Sequence, residues 1–192
     1  MKKNIIIILF ILACSSSKVE KDIPEFDGNT AYQYIIEQCD FGPRNPGSIG
    51  HQQFANFLEN YLRINSDKVI IQDFNYLEHI TGVERAGKNL IAQFNLESEE
   101  RLLIGAHWDT RAVADEDPNP DNRSIPILGA NDGASGTAVL MELAKIFSKN
   151  PPPIGIDLVF FDAEDVGISG QPTTYAMGSE YFSKNLPIQK PN

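Results

Sequence analysis

The sequence predicts an α/β fold with a mixed central sheet, and three observations carry that reading. Residues 101–107 (RLLIGAH) and 154–161 (IGIDLVFF) are nearly continuous apolar runs bounded by polar segments, the pattern of central strands buried under helices on both faces. Between them, Ala134–Lys149 places Val139, Leu140, Leu143 and Phe147 on one side of a helix. Strand, helix and strand in this order make a βαβ crossover.

The remaining elements follow in chain order. Residues 30–39 have the apolar spacing of a short helix, and Phe41–Ser48 (FGPRNPGS) is a turn-rich loop. Ser48 or Gly50 opens the next helix, whose apolar positions Phe54, Phe57, Leu58, Tyr61 and Leu62 recur at three- and four-residue spacing. Lys68–Tyr76 alternates and is rich in β-branched residues, so it reads as a strand. Asn89–Phe94 reads as its partner across a turn at Gly82–Lys88.

The first fourteen positions differ in kind. Lys2 and Lys3 precede an unbroken apolar run from Ile5 to Ala13, too short for a bilayer span of about 20 residues. It reads as an export signal of residues 1–14, ending at Leu12-Ala13-Cys14 and resembling a bacterial lipoprotein cleavage site in which Cys14 receives the lipid. The expected location is the periplasm or cell surface, on a membrane through that lipid. Residues 15–29 read as a tether, and 30–192 as one catalytic domain.

The chain has 192 residues, 42% hydrophobic and 22% charged, within the range of a soluble globular domain. A net charge of −10 without a basic run excludes a nucleic-acid surface, which needs clustered Lys and Arg. With Cys14 lipidated, Cys39 is the one remaining cysteine; no internal disulfide is expected, and Cys39 reads as a small buried hydrophobe.

Three clusters carry chemistry. His107-Trp108-Asp109 ends a strand, and alternation puts positions 107 and 109 on one face, as for an imidazole oriented by a carboxylate. Residues 129–136 (GANDGASG) precede the helix. Asp132 there fits a helix cap, yet so many small residues point to close approach at a site. Asp162-Ala163-Glu164-Asp165 leaves the second apolar strand, and adjacent buried acids repel unless a cation takes one of them. The acidic stretch Asp115–Asn122 fails as a calcium loop, because Pro120 and Pro126 stand where Gly and Glu are required. It reads as a stiff surface loop near the site.

Together, GPRNPGSIGH (42–51), GAHWDTRAVAD (105–115), LGANDGASGTAVLMELA (128–144) and FFDAEDVG (160–167) resemble the zinc aminopeptidases and animal-type glutaminyl cyclases, bacterial cyclases above all. The resemblance implies a three-layer α/β/α fold with a mixed central sheet. It implies Asp132 and Asp165 as zinc ligands, Glu164 as general acid/base, His107 as a further ligand in a two-zinc site, and Asp109 as its orienting partner. The leading expectation is a one-zinc glutaminyl-peptide cyclotransferase acting on peptide N-termini, forming pyroglutamate and releasing ammonia. The alternatives are a two-zinc aminopeptidase and a non-catalytic surface lipoprotein. The family takes its last histidine ligand downstream of the Glu-Asp pair, whereas His51, His79 and His107 all lie upstream. A stretch of a longer gene product is therefore expected, rather than a shortened inactive relative, and His51 and His79 are assigned ordinary structural roles.

Overall fold

The computed structural model describes residues 23–188. The predicted export segment with Cys14, and most of the predicted tether, lie outside the described residues. Helix α1 (Gly28–Asp40) starts where the Asp27 carboxylate accepts from the backbone N–H groups of Asn29 and Thr30, donors that a first helical turn leaves open. Helix α2 (Ile49–Ile64) starts at Ser48, whose hydroxyl accepts from the His51 N–H.

Strands β1 (Lys68–Glu78) and β2 (Val83–Phe94) form an antiparallel hairpin running from Lys68 opposite Gln93 to Glu78 opposite Val83. The turn therefore lies at 79–82, and the predicted turn at Gly82–Lys88 is corrected. Polar residues and a glycine disguise the start of β2, but Gly87 lets the Phe74 ring lie on the backbone, 2.3 Å from where a Cβ would stand. Gly82 takes the left-handed step of the turn (φ +70) with open space around it. Gly82→Ala is thus expected to cost about 1–2 kcal/mol through backbone conformation alone, read as a lower denaturation midpoint.

Strands β3 (Arg101–His107) and β4 (Gly155–Phe161) pair in parallel, joined by helix α3 (Ala134–Lys149), as the βαβ reading requires. The sheet order is β1-β2-β4-β3, with β2 and β4 antiparallel, so the sheet is mixed. Of the two strands expected at the centre, only β4 is central and buried on both faces. Among the described residues β3 is an edge strand, with Leu102 49% exposed.

Alternation along β2 and β4 sorts the core. Leu90, Phe94, Ile156, Leu158 and Phe160 face Phe54, Leu58 and Leu62 of α2 and Leu140 and Met141 of α3. Ile91 and Val159 face Phe182 of α4 (Met177–Lys184) on the other side. Three layers result, with α1 packed on α3. Asp157 inside the apolar β4 is explained by Arg101, whose Nε and Nη2 each donate to its carboxylate at 2.9 Å. Both groups are buried, so the pair is retained by mutual neutralisation. Because β3 and β4 are parallel, with His107 opposite Phe161, both clusters at 107–109 and 162–165 leave the sheet at one rim. That rim is where open α/β sheets place their ligands.

Candidate active site

The turn after β4 is built from backbone. Ala163 takes a left-handed conformation (φ 55), which bends the chain back over the sheet rim. The Asp109 carboxylate then accepts from the Glu164 N–H at 2.9 Å and the Asp165 N–H at 3.1 Å. From the other side, Ala176 N–H and Met177 N–H donate to the carbonyls of Glu164 and Ala163. Asp109 is fully buried. Its oxygen Oδ1 also lies 3.4 Å from His107 Nδ1, so it faces the imidazole, but its two hydrogen bonds go to the acidic turn. Nothing in the spacing of residues 107–109 announces those bonds.

His107 stands between the acids. Its Nε2 is 2.9 Å from Asp132 Oδ1, and its Nδ1 is 3.9 Å from Glu164 Oε2. Nδ1 is buried without a hydrogen bond. Burial opposes charge on this ring, yet Asp109, Glu164 and Asp132 together outweigh it and push its pKa up to about 9. Burial also raises Glu164, helped by Asp109, Asp165 and Asp132 and opposed by His107. Asp165 is raised by burial first, with Arg111 opposing and Asp109 and Asp132 reinforcing.

The turn before α3 bears out the crowding that its small residues foretold. A Cβ on Gly129 (φ +63) would stand 2.6 Å from Asp132 O, and one on Gly133 (φ +91) 2.6 Å from Asp109 O. Asp132 does not cap the helix: Gly133 is the capping position, with no side-chain hydrogen bond. Asp132 and Asp165 line one cavity of 420 Å³ with Asp115, Glu116 and Tyr175.

Two arginines to which sequence reasoning assigns no role, Arg44 and Arg111, hold this rim together. Arg111 pairs with Asp165 at 3.0 Å, with Asp115 of the acidic loop, and with the Gly167 carbonyl at 3.1 Å, its guanidinium 5.5 Å from the Tyr175 ring centre. Fully buried Arg44 donates to the carbonyls of Trp108, Gln38, Leu128 and Gly129. It joins the loop after β3 to the turn before α3. Trp108 is fully buried in the core, and Cys39 is half-buried rather than buried.

The donor chemistry suits a divalent cation: two carboxylates border one cavity, an imidazole touches one of them, and burial above all raises Glu164 and Asp165. Among the described residues, however, no three His, Cys, Asp or Glu side chains are gathered as a metal cluster. Asp132 faces His107 and Asp165 faces Arg111. In metal-free protein the raised Glu164 has a further consequence. Its ionised form is disfavoured by folding, so stability falls as pH rises through the folded pKa. Glu164→Gln is expected to melt higher than the parent near neutral pH under chelation, and to match it below the ordinary glutamate range.

A three-layer fold with a mixed sheet and acids gathered where its parallel strands end is the architecture of the zinc aminopeptidase and glutaminyl cyclase superfamily. The sequence pattern of Peptidase family M28 matches residues 89–192, over half the chain, and this chain belongs to that family. A glutaminyl cyclase from Bacteroides thetaiotaomicron superposes with a TM-score of 0.85 at 38% identity, over 89% of this chain and 60% of that one. A Zn-dependent exopeptidase from Parabacteroides distasonis gives 0.82 at 35% identity, over 86% of this chain and 58% of that one. The glutaminyl-peptide cyclotransferase of Bos taurus is 25% identical over 174 residues, 85% of this chain and 45% of that protein. The chain thus spans about half the length of the bovine relative and three-fifths of the bacterial structure.

Proposed function

We propose that this chain carries the core of a zinc-dependent glutaminyl-peptide cyclotransferase. One observation carries the reading: the imidazole of His107 spans from Asp132, at 2.9 Å, to Glu164, at 3.9 Å. A candidate proton carrier and a candidate ligand therefore meet across a single ring. Asp132 and Asp165 would hold the zinc, which when bound supplies Lewis acidity at the substrate's γ-carbonyl. Two carboxylates leave the usual set of three protein ligands incomplete within the described residues.

The chain's own residues do the rest. Glu164 takes a proton from the substrate α-amine as its nitrogen bonds to the side-chain amide carbon (Cδ), then delivers a proton to the departing amide nitrogen. The C–N bond breaks, ammonia leaves, and a five-membered lactam remains. Asp109 fixes the backbone from which Glu164 projects, and burial disfavours the charged form of Glu164, as suits a group that must both accept and release a proton. The cavity beside Asp132 is lined by five acids and Arg111, and its net negative charge draws in the cationic N-terminus of a peptide.

The same His107–Asp132 contact serves a second reading equally, an aminopeptidase with two metals in which Glu164 activates water. Incubating a Gln-initiated peptide with the protein and zinc separates the two. Ammonia and a product lighter by one ammonia support the cyclase, whereas a freed glutamine supports the peptidase. Neither product would leave the non-catalytic lipoprotein.

The reading includes export and lipid anchoring at Cys14, supported by the Lys2–Cys14 sequence. The mass of the mature N-terminus checks it: an acylated Cys14 is expected, and an unmodified one would exclude the anchor.

A further inference from the structure

We infer that His51 is a positioning residue for the Glu164–Asp165 turn, acting through the buried carboxylate of Asp162. The inference rests on the reading of that turn as the active site, and it gives a task to a histidine whose sequence context promised only a helix start.

Asp162 is the first residue after β4 and is wholly buried. A carboxylate there is tolerable only when its lone pairs are met by donors. Its Oδ1 lies 2.9 Å from His51 Nε2 and accepts from the Ala163 N–H at 2.8 Å; its Oδ2 accepts from the Lys88 N–H at 2.8 Å. The bond to Ala163 matters most, because Ala163 is the left-handed residue (φ 55) that aims the next two positions. A non-glycine residue stays in that region only when its surroundings hold it there. The Asp162 carboxylate supplies that hold, and among the described residues His51 supplies the one side-chain donor to that carboxylate.

The same imidazole also touches the other strand end. It stacks on Trp108 with ring centres 4.4 Å apart and planes 23° apart. Trp108 N–H donates to the Phe161 carbonyl, and its indole N–H to Lys88 O at 3.3 Å. One ring therefore links the segment carrying His107 and Asp109 to the segment carrying Glu164 and Asp165. His51 and Asp162 line a cavity of 540 Å³ between α2 and β2, which shares no lining residue with the cavity beside Asp132 and Asp165. His51 thus acts from behind the site, without reaching substrate.

The test separates stacking from hydrogen bonding. His51→Phe keeps a ring on Trp108 but cannot donate to Asp162; His51→Gln keeps a donor. In His51→Phe, the amides of Ala163, Glu164 and Asp165 are expected to exchange with deuterium about tenfold faster. Turnover is expected to fall about 10- to 100-fold at little-changed KM, and His51→Gln to stay near the parent on both measures. Added imidazole, entering through the cavity behind the site, is expected to slow exchange again in His51→Ala. Trp108, the chain's one tryptophan, reports packing by fluorescence in each variant. Parental exchange at 163–165 in a folded His51→Phe would overturn the inference. If His51→Phe does not fold, exchange in His51→Ala that imidazole leaves unchanged would overturn it equally. A parent that turns over no peptide would defeat the functional reading instead, and the exchange comparison would still decide the role of His51.

Discussion

Glu164→Gln is expected to lower turnover of a Gln-initiated peptide by about 10²- to 10⁴-fold, the usual contribution of a positioned general acid/base. Gln has the shape of Glu but can neither take the amine proton nor return it. The loss should appear in kcat, because the Glu164 side chain is 40% exposed beside His107 and is not assigned a part in holding substrate. Zinc affinity should persist, since the assigned ligands are Asp132 and Asp165. Turnover within a few-fold of the parent would remove Glu164 from the chemistry. Loss of bound zinc alongside activity would instead make it a ligand.

The second large effect is expected at Asp109. Asp109→Ala leaves the N–H groups of Glu164 and Asp165 without their acceptor. A fully buried donor left without its acceptor costs about 1–3 kcal/mol; these two bonds are part-buried, so together they cost about 2–4 kcal/mol. Asp109 also adds to the negative charge around Glu164 and Asp165, and losing that repulsion offsets part of the damage. The net expectation is a destabilisation of about 1–3 kcal/mol. Turnover should fall at least about 10²-fold, because a shift of about 1 Å in a catalytic group is enough for that. Asp109→Asn is a sharper probe: its amide offers one acceptor and one donor, and the donor would face a backbone N–H. Denaturant titration checks the stability of both variants, and peptide turnover the activity. If Asp109→Ala were as stable as the parent, those two hydrogen bonds would have little energetic weight.

Local pattern made much of this molecule readable. The bounds of β3 and α3 follow from an apolar run and a helical stripe, and the crossover from their order. Residues 83–88 lack strand-like composition and so read as a turn, whereas their pairing with β1 is visible only in three dimensions. The edge position of β3 was hidden for a related reason: an apolar run reports what a strand can bury, not which strands flank it. In the site, the clusters at 107–109, 132 and 162–165 were legible because each is local and chemically unusual. The bonds that orient them were not, since they join distant positions. Asp162 meets His51 111 positions away, Arg44 meets Gly129 at a separation of 85, and Arg101 meets Asp157 at 56. A buried arginine or histidine carries no sequence mark that distinguishes it from an exposed one.

The proposed function requires Asp132 and Asp165, which border one cavity, to turn toward one ion with Glu164 beside them. Anomalous diffraction at the zinc absorption edge, from crystals of the protein grown with zinc, tests this most directly. The account predicts one strong peak in the cavity bordered by Asp132 and Asp165, bonded to both carboxylates, with Asp165 drawn off Arg111. A peak elsewhere, or those two carboxylates still turned to His107 and Arg111 with zinc in excess, would contradict it.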